Sequence, residues 1–516
     1  MAICVAATLL SGCMIGPDFK APAVDVSDRW KESGQAEVQA AQMQRADWWG
    51  ALNDPALSRL VDIAFRQNLN LQAAGVRVLQ SRAQLGIAIG DFYPQQQQAT
   101  ASLYRSRMST SGPYQLINPN YWSANYGLQA GWELDVWGKI RRGVESAGNA
   151  YLSSVAAYDD VLVTLVGDVA SIYVQIRTLE ARTRIANDNI VRQTQALGIA
   201  RARFEGGVVT KRDVYQAEYA LATTQSSIPE LAIERGKAVD ALCVLLGMAP
   251  SSLDSLIGGV SAIPSAPDSL LVGIPADLLR RRPDVRQAEL NAAAQSAQIG
   301  LAKAALLPSF TLSGSIGIQS STIGQSSLGV GSLTYTLGPG ITWNILNYGQ
   351  ITNNVRVQDA KLQEQLINYQ NTVLNAQKEV EDGILTFTQS RIQADFLQKS
   401  LTAASGSLRI ALLQYQEGTA DFTTVLTAEE NLLKAGNSLA VAQGNIPLGL
   451  IQTYRAMGGG WEFLQGQDRV AQKVKDEMAQ RTDWGPLLKP EGGAWPPVRG
   501  LPAPGDVTPL IRPPEW

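Results

Sequence analysis

Leu197–Glu218 reads LGIARARFEGGVVTKRDVYQAE, and 211 positions later Leu408–Glu429 reads LRIALLQYQEGTADFTTVLTAE. Aligned without gaps, Leu197 meets Leu408, Phe204 meets Tyr415, Gly207 meets Gly418, Val214 meets Val425, Ala217 meets Ala428 and Glu218 meets Glu429. The chain is therefore a tandem duplication. Each copy runs with helical apolar spacing up to an aromatic. A glycine able to take positive φ follows, then a capping residue, Thr210 or Asp421, and a second helical run. This is a helical hairpin tip, made twice.

Upstream of each tip lies a long run without proline, from Trp137-Gly138 to Phe204 and from Tyr348-Gly349 to Tyr415. At 1.5 Å per residue each predicts a helix about 100 Å long, a length that outside a membrane calls for a coiled-coil partner. Neither run holds the roughly 18 uninterrupted apolar residues of a transmembrane helix. Asp159, Asp160, Asp168 and Arg177 break the first, and Lys378, Glu379, Glu381 and Asp382 the second. These helices stand in water.

Further upstream the period changes to two. Ala101 and Leu103 alternate weakly around Ser102. Ala124, Tyr126, Leu128, Ala130, Trp132 and Leu134 alternate clearly with small or polar residues. The second copy repeats this with Phe310 to Ile318 and with Tyr335 to Ile345. Each half thus predicts one long β-hairpin, its strands about 10 residues or longer, as a tilted strand needs to cross a bilayer, with aromatics toward the ends as in a girdle. A soluble sandwich is the plainer alternative, but the intervening helices are too long for one. Four strands cannot close a barrel, since about 8 are needed even to enclose packed side chains, and lipid forbids an open edge. If these strands span a membrane the chain must oligomerise; three copies would give about twelve strands.

Before the first hairpin, Pro55 to Phe92 reads as one helical run ended by Pro94, and Gly16 to Asp54 as an extended, Trp-containing arm. Composition is consistent with a single composite body: 516 residues, 17% charged, net charge −3 and no histidine. No basic run points to nucleic acid, no nucleophile and base cluster as an enzyme needs, and neither a metal site nor a cofactor is indicated. Cys243 stands alone in the body, while Leu10-Ser11-Gly12-Cys13 resembles a bacterial lipoprotein cleavage box, which makes Cys13 the lipidated first residue of the mature chain. The expected units are 1–12 signal peptide, 13–54 arm, 55–250 first repeat, 251–283 linker, 284–461 second repeat and 462–516 a tail rich in Pro and Gly.

Four further motifs stand out: Gly16-Pro17-Asp18-Phe19, Pro275-Ala276-Asp277-Leu278-Leu279-Arg280-Arg281-Arg282-Pro283, Ala304-Ala305-Leu306-Leu307-Pro308-Ser309 and Gly458-Gly459-Gly460-Trp461. In chemical terms Arg280 to Arg282 are compatible with a solvated cluster. Together these motifs resemble the TolC-like outer membrane efflux channel family, in its lipoprotein branch associated with resistance-nodulation-division pumps. The resemblance covers about Cys13 to Trp461. It implies an α+β membrane protein: a homotrimer whose twelve-stranded β-barrel, four strands per protomer, continues into a periplasmic barrel of coiled-coil helices. It would serve as the outer-membrane exit duct of a tripartite system with a periplasmic adaptor and an inner-membrane pump. Type I protein secretion and metal-ion efflux are alternatives within the same fold.

The resemblance further implies that Gly207, Val208, Gly418 and Thr419 are adaptor-contacting tips, and that the helices beyond them converge into an iris. There Asp213 matches the linking acid and Tyr415 the latch aromatic, so a Tyr415 hydroxyl to Asp213 hydrogen bond is expected. Thr210-x-x-Asp213 is equally a helix-start pattern. The positions matching the family's acidic rings are Thr424 and Thr427, and Ala420 stands where some relatives place a linking Arg. Such an iris would be weakly selective and held by packing and neutral hydrogen bonds.

Overall fold

The computed structural model describes residues 14–488 apart from 23–25, 28, 33, 35–37, 40–46, 108, 110, 112–119, 260–261, 274–280, 321–331 and 465. The signal segment, Cys13, Pro275 to Arg280 and the tail beyond Leu488 lie outside the described residues. The first half comprises α1 (Pro55–Gln67), α2 (Leu69–Gly90), β1 (Gln96–Arg107), β2 (Asn120–Leu134), α3 (Lys139–Glu205) and α4 (Lys211–Leu245). The second half comprises α5 (Pro283–Ala304), β3 (Ser309–Ser320), β4 (Leu333–Thr342), α6 (Gln350–Glu417) and α7 (Phe422–Ala456). A terminal helix, α8 (Gln472–Arg481), follows. The two long helices, α3 and α6, hold 67 and 68 residues, and both tip helices, α4 and α7, hold 35. The duplication read from the tips therefore extends through helix, hairpin, long helix and tip helix.

The run from Pro55 to Phe92 is two helices rather than one. Asn68 takes extended ψ, accepts from Leu71 N–H at 2.8 Å and donates from Nδ2 to the Leu245 carbonyl at 2.9 Å. The apolar spacing continues across the break because both helices bury a face in one core. The arm is not extended throughout either: Trp48–Leu52 form a 3-10 turn, and Trp30, Trp48 and Trp49 are buried in that core.

The sheet is antiparallel in the order β1-β2-β3-β4, the two hairpins meeting through β2 and β3. Its register separates two chemistries. Leu128 lies between Ala99 and Ile316, Tyr126 beside Ile318, Trp132 beside Leu312, and Ile316 beside Tyr335. These side chains share one face, on which Tyr335 and Leu337 are each 77% exposed. The opposite face carries Gln98, Gln129, Ser315 and Thr336 in one row, and Gln129 Nε2 donates to Gln98 Oε1 at 2.6 Å. An apolar outside and a polar inside are what a lipid-embedded wall around water requires. The outer edges of β1 and β4 find no partner among the described residues. β4 stops at Thr342, short of Ile345, because Thr342 pairs with Ser309, the first residue of β3. Beyond it Ile345 N–H bonds back to the Trp343 carbonyl at 3.1 Å.

Among the described residues no helix is long and apolar enough to cross a membrane. The helical body has a large core where α1 to α4 meet α6 and α7, and a separate core at the tips. Arg282 departs from the solvated reading of its cluster. It is 8% exposed, donates to Asp284 at 2.7 Å and to Glu379 at 2.9 Å, and also donates to the Ala456 carbonyl. It fastens the start of α5 to α6 and to the end of α7. Past Trp461, Val470 and Met478 pack with Leu79 of α2.

Candidate functional site

The two tips are built alike. Gly207 (φ +71°) and Gly418 (φ +78°) occupy the left-handed region that a side chain would strain. Gly207 N–H bonds to the Phe204 carbonyl and Val208 N–H to the Arg203 carbonyl, at 2.9 and 3.0 Å. In the second tip Gly418 N–H bonds to the Tyr415 carbonyl and Thr419 N–H to the Gln414 carbonyl, at 3.1 and 2.9 Å. Gly207, Val208, Gly418 and Thr419 are all exposed, Val208 by 66%. The caps differ. Asp421 accepts from Thr424 N–H at 3.1 Å, whereas Thr210 makes no side-chain cap bond.

Behind the turns one core joins both hairpins: Leu197, Ala200, Val214 and Ala217 pack with Leu408, Ala411, Val425 and Ala428. Tyr415 of α6 lies at its centre, 1% exposed, its ring 5.3 Å from that of Phe422 on α7. Its hydroxyl donates to Asp213 Oδ2 of α4 at 3.3 Å, and the Arg203 guanidinium of α3 sits 4.6 Å over its ring. Burial first, then the Asp213 charge and hydrogen bond, push the Tyr415 phenol up to about 12. It stays protonated and donating at any physiological pH. All four helices of the tip therefore meet on one side chain.

The threonines behave differently. Thr424 Oγ1 donates to Asp421 at 2.9 Å and Thr427 Oγ1 to the Thr423 carbonyl at 2.9 Å, so within the protomer neither hydroxyl donates to another helix. The structure thus brings Tyr415 and Asp213 together and keeps Thr424 and Thr427 on the exposed side of α7. Sequence reasoning missed Arg203, whose partner ring is distant in the chain. It also missed Glu429, which is 1% exposed, while its counterpart Glu218 pairs with Arg201 at 2.7 Å on the surface. The signal was present in the repeat alignment, where Leu412 replaces Arg201.

Residues 60–248 and 274–459 match the family model described as outer membrane efflux protein. The chain belongs to that family. It is similar to Nodulation protein T of Rhizobium leguminosarum bv. trifolii, at 30% identity over 84% of this chain and 91% of the relative. It is also similar to the toluene efflux pump outer membrane protein TtgC of Pseudomonas putida, at 29% identity over 90% of this chain and 96% of the relative. Among solved structures, the outer-membrane channel OprN superposes with a TM-score of 0.81 at 28% identity, covering 87% of this chain and all of that one. The chain is the outer-membrane duct of an efflux system. It forms a trimeric barrel and works with a periplasmic adaptor and an inner-membrane pump.

Proposed function

We propose that the duct conducts small molecules passively and is closed at the periplasmic tips by a link within each protomer, Tyr415 to Asp213, while the exposed turns Gly207-Val208 and Gly418-Thr419 receive the adaptor. The observation that carries this reading is the convergence of α3, α4, α6 and α7 on Tyr415. A hydrogen bond to a carboxylate contributes about 1.5–3 kcal/mol when shielded, and the 3.3 Å separation puts this one at the weak end. A closure so held yields to a partner that gains a few kcal/mol by docking on the turns.

The cargo is whatever the pump delivers: the lumenal face of the sheet carries mainly small and neutral polar side chains such as Gln98, Gln129, Ser315 and Thr336, with Glu133 at its base held by Lys139. Thr424 and Thr427 make the constriction neutral, and we propose weak ion selectivity in place of the strong cation preference that carboxylate rings confer. Cys13 fits as the lipid anchor. The arm arrives beside the base of β2, where Ile15 N–H bonds to the Trp137 carbonyl at 3.2 Å. Buried Arg142 holds the Ile15 carbonyl at 3.2 Å and Asp18 at 2.8 Å.

Planar-bilayer recording of the purified trimer tests the closure. Tyr415→Phe is expected to raise open time severalfold with little change in reversal potential under a salt gradient. Unchanged gating would remove Tyr415 as the latch. Strong cation selectivity persisting in the wild type would remove the neutral constriction.

A further inference from the structure

Above the tips, α7 crosses α3 closely. A Cβ at Gly436 would lie 3.1 Å from Ile185 Cγ2. Two turns tipward on each helix, Glu429 comes opposite Gln193, with Asn189 one turn away. All three are buried: Glu429 and Asn189 are 1% exposed and Gln193 4%. Glu429 Oε1, Gln193 Oε1 and both amide atoms of Asn189 have no hydrogen-bond partner among the described residues. Native interiors pair nearly all such groups, and an unpaired set on facing helices marks an interface that is not at its optimum in this arrangement.

Among the described residues no cation is placed against the acid. Arg192 on α3, Arg409 on α6 and Glu430 and Lys434 on α7 itself are exposed. Arg201 of α3 is held by Glu218 of α4. The core that α7 shares at the tips, with Leu408 of α6, Val214 and Ala217 of α4 and Leu432 of α7 itself, is apolar.

We propose that Glu429 is a proton-operated catch on the tube: protonated, it packs against Gln193 and Asn189 and holds the second hairpin to the first; ionised, it drives α7 off α3 and favours the open state. Burial alone pushes its carboxyl up from 4.5 to about 7, with no charged neighbour contributing. The sign follows from the raised value. The closed packing is fully stable below the ordinary glutamate value of 4.5 and is lost as pH rises through about 7. The inference rests on the tips being the closure, and the test separates the two.

Single-channel recordings of the purified trimer at about pH 6 and about pH 8 are expected to show an open-to-closed ratio about tenfold higher at the alkaline value. Glu429→Gln and Glu429→Leu are expected to abolish that ratio and to gate as the wild type does in acid. A Glu429→Gln trimer that keeps the wild-type pH dependence would overturn the proposal. Hydrogen exchange on the wild type alone gives a second reading: amides of α7 around Glu429 should lose protection across the same interval, and protection independent of pH would overturn it equally. Tyr415→Phe should raise open time at both pH values and leave their ratio intact. If Tyr415→Phe does nothing, the latch fails while the Glu429 result is still decided by its own variants.

Discussion

The two tips share a backbone and differ in chemistry. Gly207 and Gly418 take the same left-handed φ, and Val214 and Val425, with Ala217 and Ala428, fill the same core. Where the backbone sets no demand the copies have parted: Phe204 is 40% exposed and Tyr415 1%, Thr210 leaves its helix uncapped and Asp421 caps its own, Glu218 has an arginine and Glu429 has none. Of the divergent positions, Tyr415 and Glu429 face the other copy, whereas Thr210, Asp421 and Glu218 serve their own hairpins. A duplicated hairpin supplies two similar walls; unequal substitutions at their contact supply a hydrogen bond across it, because Tyr415 and Asp213 occupy non-equivalent sites.

That contrast can be broken most forcefully at the aromatics. Tyr415→Ala empties a buried site and should lower stability by about 3–5 kcal/mol, against about 1 kcal/mol for Phe204→Ala. Thermal unfolding of the two trimers compares them, and equal losses would mean the halves are not functionally unequal. Next come the acids. Glu429→Leu removes an unpaired buried carboxyl and should stabilise by about 1–3 kcal/mol, whereas Glu218→Leu removes an exposed pair and should cost about 0.2–1 kcal/mol. The melting temperatures should move in opposite directions.

The glycines should behave as equals with a small excess on one side. Alanine at either left-handed position costs about 1 kcal/mol, and Gly418→Ala somewhat more, since its Cβ would lie 3.3 Å from Arg203 Nη2 while Gly207 has open space. Hydrogen exchange at the tips resolves the difference. The caps give the smallest contrast: Asp421→Ala should destabilise the start of α7 by about 1 kcal/mol, and Thr210→Ala that of α4 by no more than a few tenths, about 0.3 kcal/mol.

Much of this was legible in the sequence because it is periodic or repeated. The duplication, both hairpins, the long helices and the left-handed glycines follow from spacing, which local chemistry enforces. The meeting of Tyr415 with Asp213 came from family resemblance, since no rule of spacing links residues on different helices. What escaped has the same cause. The break at Asn68 is hidden because α1 and α2 share one apolar face, and the buried tryptophans of the arm answer to a core made by other segments. Arg282 reads as one of a solvated run until Glu379 and the Ala456 carbonyl are brought to it by folding. Glu429 looks like any surface acid of a polar helix, and only the loss of arginine at Leu412 hints otherwise.

The closure of the tips by Tyr415 is tested most directly by distance. Spin labels at exposed Thr419, one per protomer of the detergent-solubilised trimer, report the separation between tips by pulsed electron resonance. The wild type should give a single short distribution that broadens and moves outward in Tyr415→Phe and Asp213→Asn. A distribution that stays short and sharp in both variants would contradict closure by this contact.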